Sequence, residues 1–456
     1  MITSINPTTG QVLAEYAYHT ESELDAKLAA AATAQRSWGR TALDERCALL
    51  RRIGTALRAE KAQLAQWITL EMGKPIVEAE AEVEKCAWNC DFYADKAPDY
   101  LGDEVVPSNA SESRVVYDPL GVVLAIMPWN YPLWQVMRFA APALAAGNGI
   151  VLKHANNVPR CALEIERVLL QAGVPQGLFA TVLVDNTRVK GLIEDPRIAA
   201  LTLTGSTPVG KLVASQAGAV LKKQVLELGG SDPFIVLADA DLDAAARTAV
   251  KARFINVGQS CINGKRFIVE AAVADRFSEL FVQHAQALKV GNPLEREVSI
   301  GPMARANLRA DLHAQVTETV RQGAQLRLGG QVVDGPGFFY TPTVLDHVLP
   351  GMVAAREETF GPAAAILRVA GVEKAIELAN SLDYGLGAAL WTTDLQRAAA
   401  LARRIEAGAV FINGLVASDP RLPFGGIKQS GYGRELGAHG AREFTNIKTV
   451  WIGPAR

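Results

Sequence analysis

The sequence predicts an α/β protein built from two parallel-sheet domains with small additional segments. Apolar, β-branched runs alternate with helical stretches from Arg114 onward. Such alternation produces parallel sheets whose ligands sit at the carboxyl ends of the strands. At 456 residues the chain exceeds the size at which a single hydrophobic core keeps growing, so two or three domains are expected. No internal repeat or low-complexity linker interrupts the alternation.

To about residue 100 the chain reads as helical. Thr20-Glu21-Ser22-Glu23 is a capping box opening an Ala-rich helix that runs to Trp38. One long amphipathic stretch is expected over 43–72, ended by Gly73-Lys74-Pro75. Strands are expected at 114–117, 121–126, 149–153 and 199–204, with helices at 159–172 and 211–217. A second alternating block spans 232 to about 413, with strands at 233–237, 266–269 and 409–412, and a last strand is read at 448–452.

Composition narrows the function classes. The chain is 49% hydrophobic and 21% charged, ordinary for a soluble globular protein. A net charge of -2 gives no electrostatic basis for nucleic-acid or anionic-membrane binding. No apolar run approaches the roughly 18 residues of a membrane span, and the first residues lack a signal-peptide pattern. Five scattered cysteines fit a reducing cytoplasm better than a disulfide framework. Cys86 and Cys90 have no second ligand pair at a zinc-like spacing and the six histidines are dispersed, so no metal site is expected.

Several motifs carry chemistry. Cys261 ends Gly258-Gln259-Ser260-Cys261, and Glu227 opens Glu227-Leu228-Gly229-Gly230. A thiolate is the best ordinary side-chain nucleophile toward a carbonyl carbon, and a carboxylate can take its proton or activate water. By residue type alone, a free cysteine is more often a small buried hydrophobe. Gly205-Ser206-Thr207-Pro208-Val209-Gly210-Lys211 follows a strand and opens a helix, a geometry that aims free N–H groups at an anion. Leu212 stands where a nucleotide-triphosphate loop needs Ser or Thr, which excludes that class. No G-x-G-x-x-G fingerprint follows a strand, and the turn could equally be structural. Met127-Pro128-Trp129-Asn130-Tyr131-Pro132 holds an amide at a strand end, a candidate oxyanion donor or a backbone cap. Lys153 ends the next strand and could meet a phosphate or ribose, or only solvent. Glu358-Thr359-Phe360-Gly361-Pro362 and Pro423-Phe424-Gly425-Gly426 are turn-rich segments that also read as surface loops.

In this order the motifs resemble the signature series of the aldehyde dehydrogenase superfamily, over nearly the whole chain. The resemblance implies two Rossmann-like α/β domains, one cofactor-binding and one catalytic, plus a small β oligomerisation arm. Matched here, residues 1–100 and 119–228 form the NAD(P)-binding domain, 229–435 the catalytic domain, and 101–118 with 436–456 the arm. Cys261 is then the nucleophile, Asn130 the oxyanion donor and Glu227 the activator of water on a thioester. Trp129, Lys153, Asn156, Gly205, Ser206, Leu228, Glu358 and Phe360 contact the nicotinamide dinucleotide. A neutral Asn156, where NAD-preferring relatives often carry an acid, implies that both NAD and NADP are accepted. Glu227 further implies water rather than coenzyme A as acyl acceptor.

The pattern is most similar to succinate-semialdehyde dehydrogenases. Arg138 and Ser418 match residues aimed at a substrate carboxylate, with Trp134 and Phe254 lining the pocket. A second arginine common in that group is replaced by Ile255, which leaves a weaker clamp and a more apolar pocket. The expected partners are a small aldehyde and further copies of the chain in a homodimer or homotetramer. Alternatives are a broad-specificity enzyme for uncharged aldehydes, or an amidase-like hydrolase using Cys261, Glu227 and Lys153.

Overall fold

The computed structural model describes residues 1–453. Two large sheets organise the chain. A six-stranded sheet has the order Gly431–Tyr432, Lys223–Glu227, Ile198–Thr204, Val122–Met127, Gly149–His154, Phe179–Thr181, parallel throughout except for the first, edge strand. A seven-stranded sheet has the order Gln325–Leu328, Thr343–Asp346, Ala363–Val369, Gly264–Glu270, Asp232–Val236, Gly387–Trp391, Ala409–Ile412, again parallel apart from its first strand. Gly149–His154 and Asp232–Val236 are buried along their whole length, as helices on both faces require. Three antiparallel strands, Thr445–Ile452, Glu112–Pro119 and Glu104–Val105, make a separate small sheet. The last three residues expected in the arm, 454–456, lie outside the described residues.

Several expectations change. The N-terminus is not helical: Ile2–Ile5 pairs antiparallel with Val12–Tyr16. The turn between them is closed by Gly10 at φ 73° donating to the Asn6 carbonyl, and alternate residues of the first strand are buried. The stretch expected as one helix over 43–72 is two, Leu43–Ala59 and Lys61–Met72, because Glu60 leaves helical geometry at φ -95° and ψ 7°. The helix expected at 211–217 begins earlier, as Thr207–Ala219, with Pro208 in its first turn, where a missing N–H costs nothing. Near the C-terminus the chain returns to the six-stranded sheet at Gly431–Tyr432, before the expected boundary at 435.

The 26-residue helix Ile76–Leu101 anchors the segments around the small cavity of the site. Its buried Glu82 pairs with Lys74, which also lies 3.7 Å over the Tyr131 ring. The same carboxylate accepts the Leu133 and Trp134 N–H groups at 2.9 Å, holding the N-terminus of the helix Trp134–Ala145. Lys74→Met strands a buried carboxylate. It is expected to lower the unfolding free energy by about 3–5 kcal/mol, measurable as a shifted urea midpoint at unchanged slope.

Candidate active site

Cys261 follows a strained turn. The helix Leu242–Phe254 ends, and Asn256 and Val257 then adopt left-handed backbone at φ 55° and 56°. For β-branched Val257 this is costly, and it persists only because neighbours over-determine it. Glu78 accepts the Asn256 N–H at 2.8 Å. The Asn256 amide donates to the carbonyls of Asn130 at 2.8 Å and Gln259 at 3.0 Å. The Gln259 side chain accepts the Ala304 N–H at 3.0 Å, and the Asn263 amide donates to the Arg253 carbonyl at 2.8 Å. Buried Lys265 donates to the carbonyls of Ser260 at 2.9 Å and Cys261 at 2.7 Å. The thiol's backbone is thus held from five directions, while Cys261 itself stays half-buried.

The motifs read separately along the chain interlock here through glycine. A Cβ on Gly258 (φ 71°) would lie 2.4 Å from the Gly361 carbonyl oxygen, and one on Gly229 would lie 2.6 Å from a Glu358 carboxylate oxygen. Only missing side chains let these segments approach so closely. Glu358 accepts the Gly230 N–H at 3.1 Å and lies 3.4 Å from the Lys265 ammonium.

The turn carrying Asn130 separates two cavities. Pro128 and Trp129 line a cleft of about 1100 Å³; Tyr131 and Trp134 line a smaller cavity of about 210 Å³ that Cys261 also lines. Buried Asn130 spends one amide hydrogen on the Gln259 carbonyl at 3.1 Å, and its second has no protein acceptor among the described residues. Burial pushes the Cys261 thiol up to about 12, against the pull of Lys265 and Arg138. Glu227 ends the strand Lys223–Glu227 with both carboxylate oxygens buried and without a hydrogen bond among the described residues. Burial, and then the neighbouring Glu435, hold it well above the usual carboxylate range, opposed by Arg138 and Arg434.

The larger cleft fits a dinucleotide. It lies at the carboxyl ends of Val122–Met127, Gly149–His154 and Ile198–Thr204, lined by Trp129, Lys153, Asn156, Gly205 and Ser206. Ser206 caps the helix Thr207–Ala219 without a side-chain bond to it, which leaves the first N–H groups available to a pyrophosphate. Lys153, lowered to about 8 by burial, is steadied by the side-chain oxygens of Asn186 at 2.7 Å and Asn156 at 3.2 Å. Leu228 is buried and packs where a Cβ on Gly210 would meet it at 2.4 Å. Phe360 meets Trp129 edge-on at 5.8 Å.

The expected substrate residues divide. Trp134, Ser418 and Arg138 line the small cavity. Arg138, however, is ion-paired with buried Glu435 and stacked 4.6 Å over Phe424, so its charge is already balanced. Phe254 is corrected: its ring packs at 6.2 Å on Phe281 in the core of the seven-stranded sheet, because it occupies the inward face at the end of its helix. Ala252 and Ile255 form that part of the wall instead. The sequence reading missed Glu78, Lys85, Lys265 and Glu435. Glu78, Glu82 and Lys85 share one face of their helix at i, i+4 and i+7, but charged residues on the rest of that helix hide the stripe; nothing local marks Lys265 or Glu435. Among the described residues no cluster of His, Cys, Asp or Glu is placed to hold a metal ion, and no helix is long and apolar enough to cross a membrane.

Comparison with known proteins agrees with this geometry. The family model described as "Aldehyde dehydrogenase family" matches residues 1–450. The chain is 52% identical over 451 residues to a probable succinate-semialdehyde dehydrogenase [NADP(+)] of Synechocystis sp., covering 99% of each chain. It is 52% identical over 448 residues to a succinate semialdehyde dehydrogenase [NAD(P)+] of Escherichia coli, covering 98% of this chain and 97% of the other. The crystal structure of succinic semialdehyde dehydrogenase from Streptococcus pyogenes in complex with NADP+ superposes with a TM-score of 0.97 at 38% identity, covering 100% of both chains. A family match over residues 1–450 and relatives 52% identical over nearly the whole length show that the chain belongs to the aldehyde dehydrogenase family.

Proposed function

We propose that this enzyme oxidises succinate semialdehyde to succinate with NADP or NAD. The Cys261 thiol loses its proton to solvent, its sulfur attacks the aldehyde carbon, and the free Asn130 amide hydrogen meets the oxyanion that forms. When bound in the cleft, the nicotinamide supplies a hydride acceptor. Lys153 and Glu358 are assigned to its riboses, Ser206 and Gly205 to the pyrophosphate, and Trp129, Leu228 and Phe360 to apolar contacts. Glu227 takes a proton from the water that releases the acid from Cys261. The family membership sets aside the hydrolase alternative.

The observation that carries the substrate reading is the cavity beside the thiol, lined by Lys85, Ser418 and the ion-paired Arg138. The two relatives at 52% identity carry the same activity in their names. Neutral Asn156 places no charge against a 2′-phosphate, which supports use of both cofactors. An aldehyde panel assayed with NADP and NAD in parallel tests the reading. Succinate semialdehyde should exceed butanal in kcat/KM by roughly tenfold or more, and both cofactors should work. Equal use of butanal would favour the broad-specificity alternative. A preference for NAD above roughly a thousandfold, more than 4 kcal/mol, would overturn the cofactor assignment.

The arm strands expose Val105, Ile447, Trp451 and Ile452, surface suited to pairing with further copies in a dimer or tetramer. The five free cysteines support a cytoplasmic setting. We assign cofactor binding to 1–100 and 119–228 with the returning edge strand Gly431–Tyr432, catalysis to 229–430, and oligomerisation to 101–118 with the C-terminal strand Thr445–Ile452.

A further inference from the structure

Among the described residues, one cation of the cavity beside Cys261 has no carboxylate in contact to balance its charge. The cavity's other charged groups are engaged: Glu82 pairs with Lys74, Arg138 with Glu435, and Glu78 accepts the Asn256 N–H. Lys85, one helical turn beyond Glu82, is half-buried and forms no ion pair among the described residues. Its ammonium lies 4.3 Å over the Trp134 ring and donates to the Ser418 hydroxyl at 2.8 Å, which also accepts the Trp134 indole N–H at 3.1 Å. An ammonium has three hydrogens. Two therefore have no protein acceptor among the described residues and are free to donate to an anion in the cavity.

We propose that Lys85 is the specificity-determining residue that receives the substrate's carboxylate, with the Ser418 hydroxyl beside it. Arg138, locked to Glu435, is a positioning residue behind them. This rests on the succinate-semialdehyde reading and deepens it. It also accounts for Ile255: a second arginine is unnecessary where a lysine on the facing helix supplies the charge. Ammonium and hydroxyl already share a hydrogen bond, so a carboxylate can bridge both without a new ordering of side chains.

The test compares the wild type with Lys85→Met, Lys85→Arg and Ser418→Ala, on succinate semialdehyde and on butanal. Lys85→Met should raise KM for succinate semialdehyde about 10- to 100-fold, with a much smaller effect on kcat. Its loss on butanal should be at least about tenfold smaller, so that the selectivity ratio collapses. Lys85→Arg should recover part of that ratio, and inhibition by succinate should weaken in Lys85→Met in parallel. Equal losses on both aldehydes would mark a structural role and overturn the assignment. Selectivity that survives Lys85→Met in an enzyme that does prefer succinate semialdehyde would overturn it while leaving the substrate reading intact. A wild type with no preference would overturn both.

Discussion

Replacing Cys261 by serine is expected to reduce kcat on the order of 10⁴-fold or more, with the fold and the dinucleotide cleft intact. Serine keeps the shape but not the nucleophile. An alcohol ionises far above a thiol, and among the described residues no histidine or lysine side chain hydrogen-bonds the side-chain atom at this position to take its proton, since Lys265 reaches only the backbone carbonyl. The wild-type thiol is itself held up to about 12 by burial, so its reactivity without substrate depends on local charge. Lys265 and Arg138 pull it down, and Lys265 touches the Cys261 carbonyl at 2.7 Å. Alkylation by iodoacetamide should therefore be slow at neutral pH and rise steadily as alkali generates thiolate. It should be absent at this site in the serine variant. Thermal denaturation and NADP-quenched tryptophan fluorescence check that only the nucleophile has changed. Activity above roughly a hundredth of wild type would mean that another group attacks the aldehyde.

Glu227→Gln is expected to cost roughly 10²–10⁴-fold in turnover, but at a different stage. Acylation needs the thiol and the Asn130 amide; only release of the acid needs a base on water. The variant should make about one equivalent of reduced nicotinamide per Cys261 and stop, and intact-protein mass spectrometry should find the acyl group retained on Cys261. The pH profile separates this role from a packing role. Burial and the adjacent Glu435 raise the Glu227 carboxyl above its ordinary range, so the neutral form persists further up the pH scale. Its basic form accumulates only as pH rises. Turnover limited by deacylation should climb from the acid side into the alkaline range, and that limb should vanish in the glutamine variant. An unchanged limb, or steady turnover without an acyl adduct, would remove Glu227 from the role.

Much of the fold was legible along the chain. The parallel strands Val122–Met127, Gly149–His154 and Ile198–Thr204 are continuous apolar runs, and burial on both faces demands that pattern. The capping box at Thr20 and Glu23 is local chemistry, closed by hydrogen bonds over three residues. The N-terminal hairpin escaped notice because its short strands have little pattern of their own. The break at Glu60 escaped because nothing in its residue type forbids a helix there.

The candidate site divides along the same line. Cys261, Glu227, Asn130 and the glycine turn at Gly205 to Gly210 are written as local strings, since each must shape its own backbone. That settled the family chemistry: a thiol, an amide donor, a base and an anion-binding turn. Which charges are free in the substrate cavity is not written locally, because neutralisation depends on partners brought together from distant segments. Arg138 read as the carboxylate clamp by position, yet Glu435, contributed from near the C-terminus, balances it. Lys85 drew no notice along the chain, yet tertiary packing seats it between Trp134 and Ser418 with no carboxylate partner among the described residues. The order of residues specifies what the site can do to an aldehyde. Where a positive charge is left over emerges only on folding, because the energy of a buried ion depends on its neighbours in space rather than along the chain.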